Sequence, residues 1–457
     1  MKKNIFKRLA IAVLAIVPLA QLSAQESYLL KDLRVPQILE ENPGYSIPYK
    51  FHIGFPCLSH IQVGVNSPIN YGQYMTIENS LMKHIRNNNR LAFNLQENII
   101  DFGFRIKNSN YISVTVGVKA NGLVNLKKDF FRFLIEGNAP YEGQTLAFVN
   151  DKSVYLNAFM EFGIGFQREE SAKFSWGVKA KYLLGLANAY TKSADLSLQS
   201  EMDFDAIIAN YGFVANVHDL DQMLAIADTN NNTTDELIQL AKDAIENPSH
   251  GAAIDFGLRY RINKTFEIDA SVTDLGFIHW TAGKQCSVTD NTMRYEGVPF
   301  EDTDMEAGEF LENFFDSLAN TMQAELDTVS IGSYNKMIST NINIGGYIYA
   351  SQNDRFGLNF KARIINGNFV PSGTISYHRT CGKWFDFTIG NTFKNNYLFN
   401  PGIGFALHLG AIQLYAMVDY INSVYIDRMR NVNAVIGINF FARRAKQRSF
   451  SNIRPSW

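Results

Sequence analysis

From about Phe51 to Phe441, apolar and polar residues alternate along the chain with a period of two. In the last such run Val432, Ala434, Ile436, Ile438 and Phe440 share one face, and Asn431, Asn433, Val435, Gly437 and Asn439 share the other. Phe356, Leu358, Phe360, Ala362 and Ile364 likewise oppose Gly357, Asn359, Lys361 and Arg363. Successive side chains of a strand point to opposite faces, so the pattern predicts strands with two unlike faces. The runs are roughly 10–13 residues long, whereas soluble strands run about 5–6 and a tilted transmembrane strand needs about 9–11. An apolar, aromatic face backed by charge, Asn, Gly and Ser fits a barrel with lipid outside and a polar lumen inside.

Short and long connections also alternate. Short turns are predicted at 107–110, 167–173, 263–264, 351–354, 380–383 and 410. Longer links fall at 67–98, 121–153, 186–250, 277–337, 394–398 and 422–429, and 366–368 is a short link in a long slot. The runs number about 14, and a further hairpin around 190–214 would make about 16; both counts are even, which puts both ends at the short-turn, periplasmic rim. The predicted fold is therefore all-β: a single antiparallel transmembrane β-barrel of about 14 strands, with short periplasmic turns and long outer loops. Two outer links carry helix signals. One is Thr234 as cap with Leu237, Leu240, Ala241 and Ala244; the other, within 303–327, places Phe310, Phe314, Leu318 and Met322 on one side.

The N-terminus supplies the compartment. Lys2, Lys3, Lys7 and Arg8 precede an apolar stretch from Leu9 to Leu22, and Ser23-Ala24-Gln25 offers small residues for cleavage. This predicts a secretory signal peptide at 1–24, too short to span a bilayer, and hence residence in the outer membrane of a Gram-negative bacterium. Its removal takes four basic and no acidic residues and moves the net charge from −2 to −6. Residues 25–50, with Pro36, Pro43 and Pro48, are expected to be irregular and are placed to plug the lumen or pack beneath it. Residues 51–441 form the barrel and 442–457 a C-terminal tail. The near-neutral balance excludes a nucleic-acid partner, which needs a basic face. A mean hydropathy of −0.12 excludes a polytopic helical membrane protein. Cys57, Cys286 and Cys381 are odd in number and far apart, so at most one disulfide joins two of them, with the pair left open.

Catalytic and metal signatures such as G-x-S-x-G, H-E-x-x-H or a P-loop do not occur, so no enzyme activity, cofactor or metal is expected. The candidate functional residues are the charged and imidazole side chains predicted to face inward. They are Arg105, Lys179, Lys181, Asp255, Arg259, Arg261, Lys361, Arg363, His378, Asp386, His408 and Asp419. Their mixed sign allows either internal pairing that closes the barrel or a wet path whose charges tune selectivity. His378 and His408 near Asp386 and Asp419 could also serve acid–base or metal chemistry, although polar lumen lining explains them more simply. Trp176, Tyr182, Trp384 and Tyr420 are candidates for interfacial girdles.

Several stretches carry a family resemblance. They are Asn42-Pro43-Gly44, Tyr49 through Ser59, Lys181 through Ala189, Ser193 through Leu198, Asp274 through Trp280, Gly382-Lys383-Trp384 and Arg430 through Asn433. Over about 35–441 the chain resembles a family of uncharacterised exported proteins of Gram-negative bacteria that look like outer-membrane β-barrels. It is more distantly similar, in strand count and layout only, to the long-chain fatty-acid transporter barrels, which have 14 strands and an N-terminal plug. These resemblances imply fold and location. The expected function is a channel or transporter for a small solute, with a hydrophobic one as the leading candidate and lipid as the surrounding partner. The alternative is a closed structural or docking barrel whose long loops bind a protein at the cell surface or in the periplasm. A soluble exported β-protein is the third reading.

Overall fold

The computed structural model describes residues 28–67, 82, 85–201, 206–219, 242, 244–296, 307–394, 399–419 and 431–443. The signal peptide, most of the 218–248 helix, Tyr420 and nearly all of the tail lie outside the described residues. In chain order the strands are β1 (Tyr49–Gly54), β2 (Ile61–Asn66), β3 (Asn88–Ile106), β4 (Asn110–Lys127), β5 (Thr145–Ala147) and β6 (Val154–Glu169). They continue as β7 (Phe174–Ser200), β8 (Ala206–His218), β9 (Ser249–Arg261), β10 (Phe266–Glu296), β11 (Asp327–Met337) and β12 (Thr340–Tyr349). The last six are β13 (Asp354–Ile365), β14 (Asn368–Cys381), β15 (Phe385–Lys394), β16 (Pro401–Leu409), β17 (Ile412–Val418) and β18 (Asn431–Arg443). Among the described residues the longer helical elements are α1 (Ile38–Glu41), α2 (Lys128–Glu136) and α3 (Ala307–Ala324).

All strand pairs are antiparallel neighbours, and the sheet closes because β1 pairs with β18 on one side and β3 on the other. β1 and β2 are two halves of one stave; both pair with β18, and the break at Cys57 has a left-handed φ of 58°. β8 and β9 both lie between β7 and β10, while β11 and β12 follow one another along β10. β5 adds only to the outer part of β7. The barrel therefore has 14 staves. The 190–214 hairpin that would have made sixteen is instead the upward continuation of β7 and β8, paired from Asn188↔His218 to Ser200↔Ile207 with a bulge at Thr191/Ser193. At the other extreme of loop length, Asn366 and Gly367 both take positive φ (50° and 75°), a two-residue hairpin turn between β13 and β14.

Exposure separates the two faces. Outward residues remain open in every part of the wall: Ile164 is 63% exposed, Leu358 65%, and Phe256, Phe356, Ile375 and Ile436 about half. Their inward neighbours Lys179, Asp255, Lys361 and Asn433 are buried. Apolar outside and charged inside is the reverse of a soluble protein and is the pattern of an outer-membrane β-barrel. Among the described residues the largest apolar core sits past the rim opposite the short turns. There β5, β7, β8 and β10 rise past the barrel and pack Leu146, Leu198, Ile207, Tyr211 and Val288 against Phe133 of α2 and Phe314, Leu318 and Met322 of α3. Three of the four apolar residues expected to align on the 303–327 helix thus face this core.

Candidate functional site

Residues 28–48 run through the inside of the barrel, nearer the short-turn rim. Leu29, Leu30, Leu33 and Val35 pack on Ala406, Tyr415, Met417 and Val435, and Ile38, Leu39, Tyr45 and Ile47 pack on Tyr49, Tyr111 and Phe441. Around this apolar contact the segment pairs with the wall on several sides. Lys31 meets Asp269 at 2.8 Å, Arg355 donates to Asp32 at 2.7 Å, and Arg34 donates to Asp386 at 2.7 Å. Gln37 donates to Asp101 at 2.9 Å, Lys179 to Glu40 at 2.8 Å and Lys361 to Glu41 at 2.7 Å. Charges moved out of water need partners of this quality, because an unpaired buried charge is strongly destabilising.

Within the segment, Asn42-Pro43-Gly44 lies against a shelf of glycines. A Cβ built on Gly177 would stand 2.0 Å from the Pro43 carbonyl oxygen, and one on Gly257 would stand 2.0 Å from Asn42 Oδ1. Both glycines are inward positions where only a missing side chain lets two backbones meet. Ser175 donates to the Gly44 carbonyl at 2.6 Å, and Ser46 donates to Glu169 at 2.6 Å near the rim.

Beyond the segment a cluster of ions crosses five strands. Lys181 contacts Asp255 and Asp274, each at 2.6 Å, and Lys119 contacts Glu161 at 2.8 Å and Asp274 at 3.2 Å. Lys179 bridges Glu161 (3.1 Å) to Glu40 of α1. Asp274 reaches the cluster from a bulge in β10, where its own φ is 58°. Above the cluster lies a cavity of about 600 Å³, adjoining solvent included. Glu40 and Glu41 form part of its floor, and its wall includes Gln62, Asn94, Gln96, Lys119, Asn341 and Arg363.

The twelve sequence candidates fall into separate groups. Lys179, Lys181 and Asp255 belong to the cluster, and Lys361 and Arg363 line the cavity. Arg259 makes a two-pronged contact with Glu267, each prong 2.7 Å, and Arg261 contacts the same carboxylate at 3.2 Å. Arg105 meets Glu169 at 3.1 Å and donates to the Ile47 carbonyl, tying the rim to the incoming segment. His408 sits 2.7 Å from Asp386 and His378 3.8 Å from it, so three of the four residues suspected of acid–base chemistry do meet. Asp386 there also accepts from Arg34. Asp419 stands apart, accepting from Asn433 at 2.8 Å. Among the described residues no group of three or more His, Cys, Asp or Glu could hold a metal, and the three cysteines are free.

Sequence reasoning missed the partners supplied by 28–42, and also Glu267, Asp269, Asp274 and Arg355. Glu267, Asp269 and Arg355 alternate with the outward Phe266, Ile268 and Phe356, so period two could have found them. Asp274 was hidden by its bulge, which shifts the alternation by one.

The structure is similar to several solved outer-membrane proteins. The toluene transporter TbuX of Ralstonia pickettii shares 9% identity at a TM-score of 0.42, covering 89% of this chain and 94% of that one. The toluene transporter TodX of Pseudomonas putida shares 8% at 0.40, covering 89% and 94%. A FadL homologue from Pseudomonas aeruginosa shares 7% at 0.39, covering 88% and 93%. No curated protein matches. The model of a family of unknown function, DUF5723, matches residues 43–419, and this chain belongs to that family.

Proposed function

We propose that the protein is a gated channel of the outer membrane for a small solute, with residues 28–48 as the gate. One observation carries this reading: Glu40 and Glu41 belong to the inner segment and also line the cavity. A solute resting there touches the gate itself. The same two carboxylates anchor the gate to Lys179 and Lys361 on the wall. Binding that competes for either carboxylate favours release of the segment, which is the differential contact a ligand-driven opening needs. The twelve inward side chains listed by alternation then serve as gate anchors and lumen lining rather than as catalysts.

Vesicles containing the wild type or the double variant Glu40→Lys, Glu41→Lys test this. Both substitutions put like charge against the anchoring lysines, so uptake of small solutes is expected to rise. Equal, background-level uptake in both would overturn the reading.

A second reading has its own observation. The outer lobe built on β7, β8 and β10 has an independent apolar core with α2 and α3, more than a loop needs to close a barrel. We propose it as a platform for a surface partner. Removing 303–327 should abolish partner capture while leaving uptake intact.

A further inference from the structure

The cavity's lining bears on the class of solute. Of its lining residues, Leu30 and Phe159 are apolar; the others carry amides, hydroxyls, an imidazole or charges. Sites for hydrophobic small molecules are lined mainly by apolar and aromatic groups, and this one is not. A hydrocarbon placed here would strip water from amides and ions and return no hydrogen bonds, at about 1–3 kcal/mol per group. A cationic solute fares little better. The cavity's carboxylates already hold lysines: Glu40 with Lys179, Glu41 with Lys361, and Asp274 with Lys119 and Lys181.

Two atoms at the cavity are different. Gln96 Nε2 and Asn341 Oδ1 are buried and have no protein partner. One is a donor and the other an acceptor. A hydroxyl group both donates and accepts, so a solute with several hydroxyls can bond either kind of atom, and the neighbouring Asn94, Asn121 and Ser339 offer further partners. Desolvated polar groups of this kind discriminate strongly against ligands that cannot bond to them.

We infer that the cavity is a binding site for a polyhydroxylated solute. This deepens the channel reading and rests on it. The sequence leads to a small solute with a hydrophobic one among the candidates, and the lining of this cavity favours the hydrophilic class.

The full-length protein reconstituted in vesicles provides the test. Uptake of D-glucose, glycine betaine and toluene is compared, and binding of each to the detergent-solubilised protein is measured by calorimetry. Two variants, Gln96→Leu and Asn341→Leu, are carried in parallel, with the heat-sensitive gel migration of a folded barrel as the control. Gln96 Nε2 has no bond to lose, so that variant keeps its fold. The inference expects glucose to bind and to cross faster than the other two. It expects Gln96→Leu to weaken glucose binding roughly three- to tenfold, the range for one lost hydrogen bond. Uptake of glycine betaine or toluene with no glucose uptake overturns the polyol assignment and leaves the channel standing. Glucose uptake unchanged in both folded variants overturns the site. Uptake of none of the three solutes overturns the channel reading itself.

Discussion

The contact between Glu41 and Lys361 joins the inner segment to the wall at 2.7 Å, with side-chain exposures of 15% and 4%. Neutralising one partner leaves the other buried and charged. Such a loss costs about 3–5 kcal/mol in a dry interior, and the partial exposure of Glu41 places this pair at about 3. The loss falls on the closed state alone, because water takes over both groups once the segment leaves. At about 1.4 kcal/mol per decade, Glu41→Gln should raise the open fraction roughly a hundredfold. Lys361→Met should act similarly. The double variant has no orphaned charge and should lie much nearer the wild type, giving a coupling of about 2 kcal/mol. Ser271 and Asn343 still donate to the Glu41 carbonyl in all three variants, so the local backbone stays anchored. Conductance in planar bilayers, taken round the four-protein cycle, reads the result. Additive effects, or single variants that change conductance less than about threefold, would refute the reasoning.

Further predictions follow from the wall, the lobe and the membrane face. Gly177→Val leaves no room for the Pro43 carbonyl, so the folded barrel should become leaky; unchanged conductance would count against the glycine shelf. Phe314→Ala should cost the outer lobe about 3–5 kcal/mol and expose it to protease while the barrel still migrates as folded. Leu358→Arg puts a charge on the lipid face at about 2–4 kcal/mol and should lower the yield of folded barrel in bilayers. Lys336 lies on β11, where it donates to Asn366 at 2.8 Å, and has its ammonium pushed down from 10.5 to about 8 by burial and then by Lys152. Between about 8 and 10.5 the unfolded chain binds more protons at this group than the folded one, so its contribution to stability should rise with pH across that window. Acylation of Lys336 followed by mass spectrometry should show a midpoint near 8, and an ordinary lysine midpoint would contradict it.

Much of the barrel was legible because lipid on one face and water or polar side chains on the other force a strict period of two. Residues such as Phe256 and Asp255 could be assigned to faces from position alone. The outer lobe was less legible. β7 and β10 continue well past the bilayer, but bulges near Thr191, Gly283 and Val288 break the alternation, so their outer halves read as links. The same effect concealed Asp274. For the inner segment, three prolines predicted irregular chain, and its place just before the first strand set it at the short-turn end. Which charge meets which was not readable, since Lys31 and Asp269 are joined only by closure of the barrel. The family stretches gain a physical reason: Asn42-Pro43-Gly44 is the wedge on the glycine shelf, and Lys181 and Asp274 meet in the ion cluster.

The account turns on residues 28–48 closing the lumen. Conductance of the full chain in a planar bilayer, set against the same chain lacking 28–48 and shown to be a folded barrel, tests it directly. The account predicts a closed or rarely opening full-length protein and a steady ohmic conductance without the segment. Equal conductance in the two would contradict it.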